Sequence, residues 1–168
     1  MTTLTHAAVG YLIGREVLAA GLLPPQAANA VYLISILSAN GPDIDGVLFP
    51  KNINNHRLSP FHYPFTWWVI FMTVMIYSTA GAEPRWILPY TYLAGGNVLI
   101  HFVLDTFAIT NGIRWFGPFY KKSYSFLALV ETPKTIKEWT KRYIKHPVMW
   151  SELFVWIIGI LIIPKHMP

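Results

Sequence analysis

The chain has 168 residues, of which 54% are hydrophobic and only 12% are charged, and its mean hydropathy is positive. This composition is typical of an integral membrane protein, and the length suits a single domain over residues 1–168. Cysteine is absent, which excludes disulfides, thiolate zinc sites and cysteine nucleophiles. The formal net charge is +5, but the basic residues lie between apolar runs, so we expect membrane orientation rather than a nucleic-acid partner.

Five hydrophobic segments predict an all-α, polytopic helical membrane protein. The start of the chain lacks a basic region and a cleavage site, so we expect no removable signal peptide. A helix of about 15 residues spans only about 22 Å, so the second and fifth segments are predicted to be tilted, extended by their flanks or only partly inserted. The five segments cover about residues 4–23, 26–39, 65–81, 86–109 and 149–163.

Two polar stretches separate these segments. Residues 40–64 are predicted to form a loop, and residues 110–148 form a longer connection rich in lysine and aromatic residues. After Pro133, residues 134–145 have the pattern of a basic surface helix. Its possible membrane-facing side consists of Ile136, Trp139, Tyr143 and Ile144.

The distribution of charge predicts an orientation. If the five segments alternate in direction, the N-terminus, the 40–64 loop and the 110–148 connection lie on one side. By the positive-inside rule this side is cytoplasmic, and the protein would be a multi-pass inner-membrane protein with its N-terminus inside. Ten of the 13 Lys and Arg residues fall there: Lys51, Arg57, Arg114, Lys121, Lys122, Lys134, Lys137, Lys141, Arg142 and Lys145.

A histidine and an aspartate interrupt the longest apolar run. His101 and Asp105 are four residues apart, so on a helix they share one face about 6 Å apart along the axis. Ionisable residues within a membrane segment usually face the protein interior and have a partner. Both side chains could bind one metal ion, although a buried hydrogen bond between them within the helix is the simpler alternative.

Asp43 and Asp45 lie at the end of the second segment, in the sequence Gly-Pro-Asp-Ile-Asp-Gly. A turn would explain this sequence. An EF-hand calcium loop is not expected, because the twelfth position, counted from Asp43, is Asn54 rather than Glu. Because these carboxylates fall on the same predicted side as His101 and Asp105, we favour metal binding, and paired carboxylates can bridge two divalent ions.

Three further histidines fall on this side. His62, between Pro60 and Pro64, is a candidate ligand, and His6 is either a ligand or a core histidine. His56 and Arg57 suit acid/base or phosphate contacts, because guanidinium matches two phosphate oxygens. With nitrogen and oxygen ligands only, zinc is favoured, while manganese or iron remain possible. The predicted ligands for one or two ions are His6, Asp43, Asp45, His62, His101 and Asp105.

The order of these motifs resembles a known family. The succession Thr5-His6, Gly41-Pro-Asp-Ile-Asp45, His56-Arg57 with His62, His101-Phe-Val-Leu-Asp105 and Trp115-Phe-Gly-Pro118 is similar to that of bacterial inner-membrane metal-dependent hydrolases, one branch of which is associated with LexA regulation. The resemblance covers most of the chain up to about Pro118, and the last fifty residues carry little of it. The family typically has Thr-His-Ser after its His-Arg pair, whereas the sequence here is Ser59-Pro-Phe-His-Tyr63. Distant similarity to zinc-dependent phospholipase C implies a phosphoester substrate.

The sequence thus predicts a membrane-bound metal-dependent hydrolase with its site at the cytoplasmic face. A metal-activated water would attack a phosphoester of a lipid or lipid-linked substrate, with His56 and Arg57 as catalytic residues. The expected partners are membrane lipids. The alternative is a metal-binding transporter or a non-catalytic, ion-stabilised membrane protein, because intramembrane ionisable residues also mark ion pathways.

Overall fold

The computed structural model describes residues 1–48, 59–80, 86–109, 112–127 and 135–162. Within these ranges the architecture is all-α, as predicted, with an isolated bridge between Ile113 and Tyr124. Short 3-10 turns at Pro25–Ala27, Gly41–Asp43 and Pro60–His62 precede α2, α3 and α4. The helices are α1 (Thr3–Ala19), α2 (Ala28–Ala39), α3 (Ile44–Leu48), α4 (Pro64–Thr79), α5 (Ile87–Thr106), α6 (Ile136–Lys145) and α7 (Pro147–Ile162).

Local sequence sets the ends of several helices. Thr2 caps α1, since its hydroxyl accepts a hydrogen bond from the Thr5 amide. Gly21 follows α1 with φ of 67°, a conformation that favours glycine. Thr135 caps α6 by accepting from the Glu138 amide at 3.2 Å. The predicted basic surface helix is therefore confirmed, with bounds of 136–145.

Glycines allow α1 and α2 to pack closely. A Cβ added at Gly10 would lie 2.6 Å from the carbonyl oxygen of Ser35 and 2.8 Å from the Cβ of Ala39. A Cβ at Gly14 would lie 2.9 Å from the Ser35 hydroxyl. Small residues spaced by four in this way let helix backbones approach each other. As a result, the start of α1 lies beside the end of α2.

Aromatic packing positions the loops around α5. Phe102 is fully buried between α4 and the segment that follows α5, where Trp67 and Trp115 pack against its cluster. Trp67 also closes over the turn after α2, because its ring leaves no space for a side chain at Gly41. Its indole N–H donates to the carbonyl of Phe61 at 2.7 Å. One tryptophan thereby holds both 3-10 turns that flank the undescribed residues 49–58.

The number of membrane-crossing helices predicted from the sequence is wrong. Among the described helices, only α5, with 20 residues, is long and apolar enough to cross a membrane alone. A second span exists only if α6 and α7, which meet at an angle of 72°, are taken together as one membrane-crossing segment over residues 137–161. The 17 residues of α1 include Arg15 and Glu16, and α2 has only 12 residues, about 18 Å. Apolar runs in the sequence include turns that shorten the helices.

The α5 helix differs from a core helix of a soluble protein. Only 33% of its apolar window is buried, and Leu99, Ile100 and Val103 are exposed. Soluble proteins rarely expose contiguous apolar stripes of this kind. The exposed face of α5 therefore suits contact with lipid.

We expect Gly10→Ala to lower the free energy of unfolding by about 1 to 3 kcal/mol, because the added methyl group collides with Ser35 and Ala39. Thermal unfolding in detergent, followed by tryptophan fluorescence, measures the effect.

The matched control is Gly96→Ala on α5, where an added Cβ meets no atom within 4 Å. Alanine has a higher helix propensity than glycine, so this substitution should raise the free energy of unfolding by up to about 1 kcal/mol. Equal unfolding temperatures for the two variants would contradict the close packing of α1 on α2.

Candidate metal centre

Four separate elements bring acidic and imidazole side chains together at the C-terminal end of α5. His101 and Asp105 project from α5 one turn apart, as their spacing predicts. Asp43 comes from the 3-10 turn after α2, and His62 from the 3-10 turn before α4. His6 comes from the first turns of α1. Five of the six predicted ligands thus lie close together.

Asp43, His62, His101 and Asp105 could together hold one metal ion, because one ligand atom from each lies within 4.8 Å of the others. The Nε2 atom of His62 is 3.3 Å from Oδ1 of Asp43. The Nε2 atom of His101 is 3.8 Å from the same oxygen and 3.9 Å from Oδ2 of Asp105. Only the Asp43 side chain has measurable exposure, 15%, so the group opens to solvent on that side. We call these four residues the His/Asp cluster.

The hydrogen bonding of His101 is compatible with a cation beside its Nε2 atom. Its Nδ1–H donates to the carbonyl oxygen of Ala39 at 2.8 Å, which leaves the lone pair on Nε2. The Nε2 atom is buried and has no hydrogen-bond partner among the described residues. It faces the carboxylates of Asp43 and Asp105, which are also acceptors. Acceptors that face each other in a buried site are stabilised by a positive charge between them.

Asp45 lies on the other side of His62 from Asp43. Its Oδ2 is 3.0 Å from Nδ1 of His62 and accepts a short hydrogen bond from the hydroxyl of Ser59. A carboxylate that binds the second nitrogen of a metal-binding histidine fixes its ring and raises its basicity. The structure therefore places the predicted ligand Asp45 behind His62 rather than in the His/Asp cluster.

His6 is adjacent to the cluster. Its ring stacks on His101 with centroids 3.9 Å apart, and its Nε2 is 3.2 Å from Oδ1 of Asp105. The amino group of Met1 contacts the same oxygen. The Nδ1 atom of His6 is buried without a hydrogen-bond partner in the described part of the chain. Of the six predicted ligands, His6 and Asp45 therefore adjoin the four that converge.

The charges of the cluster shift two pKa values in opposite directions. Burial raises the pKa of Asp43, but the hydrogen bond with His62 and the field of His101 outweigh it, so the pKa falls to about 2. Burial lowers the pKa of His62, but hydrogen bonds with Asp43 and Asp45 raise it above its ordinary value. Both shifts favour a negative Asp43 beside positive charge.

The two predicted catalytic residues, His56 and Arg57, lie outside the described residues. Of the remaining histidines, His146 lies apart from the cluster, with its Nε2 3.0 Å from the carbonyl oxygen of Leu127. His146 is therefore not part of the His/Asp cluster. His166 also lies outside the described residues.

The contact that holds the start of α1 was not predicted from the sequence. Glu152 of α7 is 1% exposed and accepts hydrogen bonds from the amide of Thr2 at 2.8 Å and from the hydroxyls of Thr2 and Tyr143. The indole of Trp156 donates to the Thr5 hydroxyl at 3.0 Å. These bonds fix the turn that carries His6. Glu152 is a lone acidic residue in an apolar segment, and such residues usually face the protein interior and have a partner. The same argument that was applied to Asp105 could therefore have identified it.

We expect His101→Ala and Asp43→Ala to lose bound metal, since each removes a ligand atom from a group of four. The metal content of the purified, dialysed protein, measured by mass spectrometry, tests this. His146→Ala is the matched histidine control and should retain the wild-type content. Unchanged metal content in both cluster variants would refute the site.

We expect Asp45→Asn to weaken metal affinity about 10- to 100-fold without abolishing binding, because it alters the group that orients His62 rather than a ligand. Competition with a chromogenic chelator gives the affinity. If Asp45→Asn instead abolishes metal binding as completely as His101→Ala, Asp45 is a direct ligand.

Comparison with known proteins places the chain in a family. A family model described as YdjM inner membrane protein matches residues 1–166. The chain therefore belongs to this family of bacterial inner membrane proteins. No curated protein and no solved structure has significant similarity to it. The predicted location in the inner membrane is confirmed by the family, and the metal site is supported by geometry alone.

Proposed function

We propose that this member of the YdjM inner membrane protein family is a metal-dependent hydrolase that acts on a phosphoester of a lipid or lipid-linked substrate. The observation that carries the proposal is the buried Nε2 of His101, whose lone pair faces the carboxylates of Asp43 and Asp105. A site of this kind favours a divalent cation. Its position at the end of an apolar helix favours a substrate from the membrane.

The donor set favours zinc. Two imidazoles and two carboxylates, without thiolates, also suit manganese or iron. When bound, such an ion polarises substrate oxygens and acidifies water. The protein's own residues would orient the ligands, hold the proton and contact the phosphate.

Each neighbouring residue of the cluster has a defined task in this proposal. Ala39 and Asp45 fix the rings of His101 and His62 by binding their Nδ1 atoms. His6 contacts Asp105 through Nε2, and its second nitrogen remains available to hold or pass a proton. His56 and Arg57 stay the predicted residues for the phosphate and for acid/base steps.

The cytoplasmic face is the proposed side of the site. The residues that follow α5 and those of α6 are rich in cations, which mark the cytoplasmic side of inner-membrane proteins. In this orientation the C-terminal end of α5, with His101 and Asp105, lies at the cytoplasmic surface. A multi-pass arrangement then requires α4 or α7 to cross beside α5 in spite of their 16 residues.

A second candidate is an ion-stabilised membrane protein without turnover. Four protein ligands close a metal site, whereas catalytic sites usually keep a position for substrate or water. Three of the four side chains here have no measurable exposure. The opening beside Asp43 is therefore the feature that favours catalysis.

We expect the purified, metal-loaded protein to release phosphate or diacylglycerol from phosphatidic acid or phosphatidylglycerol in detergent micelles. Chelation should stop the release, and re-addition of zinc should restore it. His101→Ala should reduce the rate by roughly 10²-fold or more, because loss of a ligand exceeds the cost of losing a residue behind it.

The control variant is Glu16→Gln, which changes an exposed acidic residue of α1 outside the cluster. Product formation equal in wild type and His101→Ala would refute hydrolysis at this site. If metal instead raises the unfolding temperature of a protein that releases no product, the second candidate replaces the first.

A further inference from the structure

An apolar groove of about 490 Å³ lies beside the C-terminal half of α5. Its volume falls within the range of small-ligand sites. Trp115 forms part of its wall, held by a hydrogen bond from its indole N–H to the Thr106 hydroxyl at 2.9 Å. The other main lining residues are Val103, Phe107, Phe116, Tyr124 and Phe126.

The groove is separate from the His/Asp cluster. Val103 follows His101 by two residues and precedes Asp105 by two, so its side chain diverges from each of theirs by about 200° around the helix. Phe102, fully buried, packs against Trp115 with ring centroids 6.3 Å apart. A ligand in the groove therefore lies on the face of α5 that points away from the metal ligands.

We propose that this groove binds an acyl chain of an anionic phospholipid. Val103 and Phe107 are 42% and 41% exposed and continue the apolar stripe of Leu99 and Ile100 on the helix most suited to cross the membrane. Because the family is one of inner membrane proteins, this stripe meets lipid chains. The groove is the point at which that lipid-facing surface becomes concave.

The residues after α5 match the head group of such a lipid. Lys122 Nζ lies 5.4 Å from the ring centroid of Tyr124, a lining residue, and Lys121 next to it is exposed. Phe116 and Phe126 are 63% and 73% exposed, as aromatic residues are at the membrane interface. Lysines beside a membrane surface favour anionic lipids. Chain and head group thus have adjacent complementary surfaces.

Native mass spectrometry tests the proposal. The detergent-solubilised protein is mixed with equal amounts of phosphatidylglycerol and phosphatidylcholine. The wild type should retain mainly phosphatidylglycerol. Val103→Trp should lose this adduct because the indole fills the groove, and Lys122→Gln should weaken it about fivefold, the factor expected for one lysine near anionic lipid.

Leu99→Trp is the matched control, since it adds the same side chain to the exposed face of α5 outside the groove lining. It should retain the lipid. Metal content should be unchanged in all variants, so the result is independent of the proposed hydrolase. Wild-type retention by Val103→Trp, equal retention of both lipids, or a dimer that Val103→Trp abolishes would overturn the proposal.

Discussion

The geometry of the His/Asp cluster depends on Ala39, the C-terminal residue of α2. The carbonyl oxygen of Ala39 accepts the hydrogen bond from His101 at 2.8 Å and so sets which nitrogen of that ring faces the carboxylates. The Cβ of the same residue lies against Gly10, where α1 has no side chain. Because α1 can approach so closely, His6 stacks on His101. One residue of α2 thus sets both the tautomer of His101 and the position of its neighbour.

The carboxylate of Glu152 has different partners from those of Asp43 and Asp105. Transfer of a carboxylate from water costs several kcal/mol unless partners compensate. Glu152 accepts hydrogen bonds from neutral groups, namely the amide and hydroxyl of Thr2 and the hydroxyl of Tyr143. These bonds hold α1 against α7. Asp43 and Asp105 instead contact imidazoles, and Asp105 also contacts the amino group of Met1. An imidazole can bind either a proton or a metal ion. Of these two arrangements, only the one around Asp43 and Asp105 can therefore replace a proton by a metal ion.

Side-chain chemistry in the sequence predicted more of this site than backbone geometry could. The spacing of His101 and Asp105 predicted a shared face, and the polar residues between segments supplied Asp43 and His62. The role of Asp45 was not predictable, since two residues along a short helix turned it to the other side of His62. The contact of His101 with the Ala39 carbonyl was equally unpredictable from the sequence, because every residue has a backbone carbonyl. The number of spans was overestimated because apolar composition does not reveal where helices end.

The α5 helix exposes apolar residues and buries several polar ones. Its buried side carries Thr91, Asn97, His101 and Asp105 beside Leu93, Val98 and Phe102, whereas Leu99 and Val103 are exposed. The exposed residues of α4 and α7 are also mainly apolar, including Trp68, Ile76, Phe154 and Ile160. These surfaces favour lipid, although 16 residues reach only about 24 Å. This is about 6 Å short of a 30 Å hydrocarbon core, so neither helix is long enough to be identified as a span by itself. Surface chemistry, more than helix length, therefore indicates how this small protein meets the membrane.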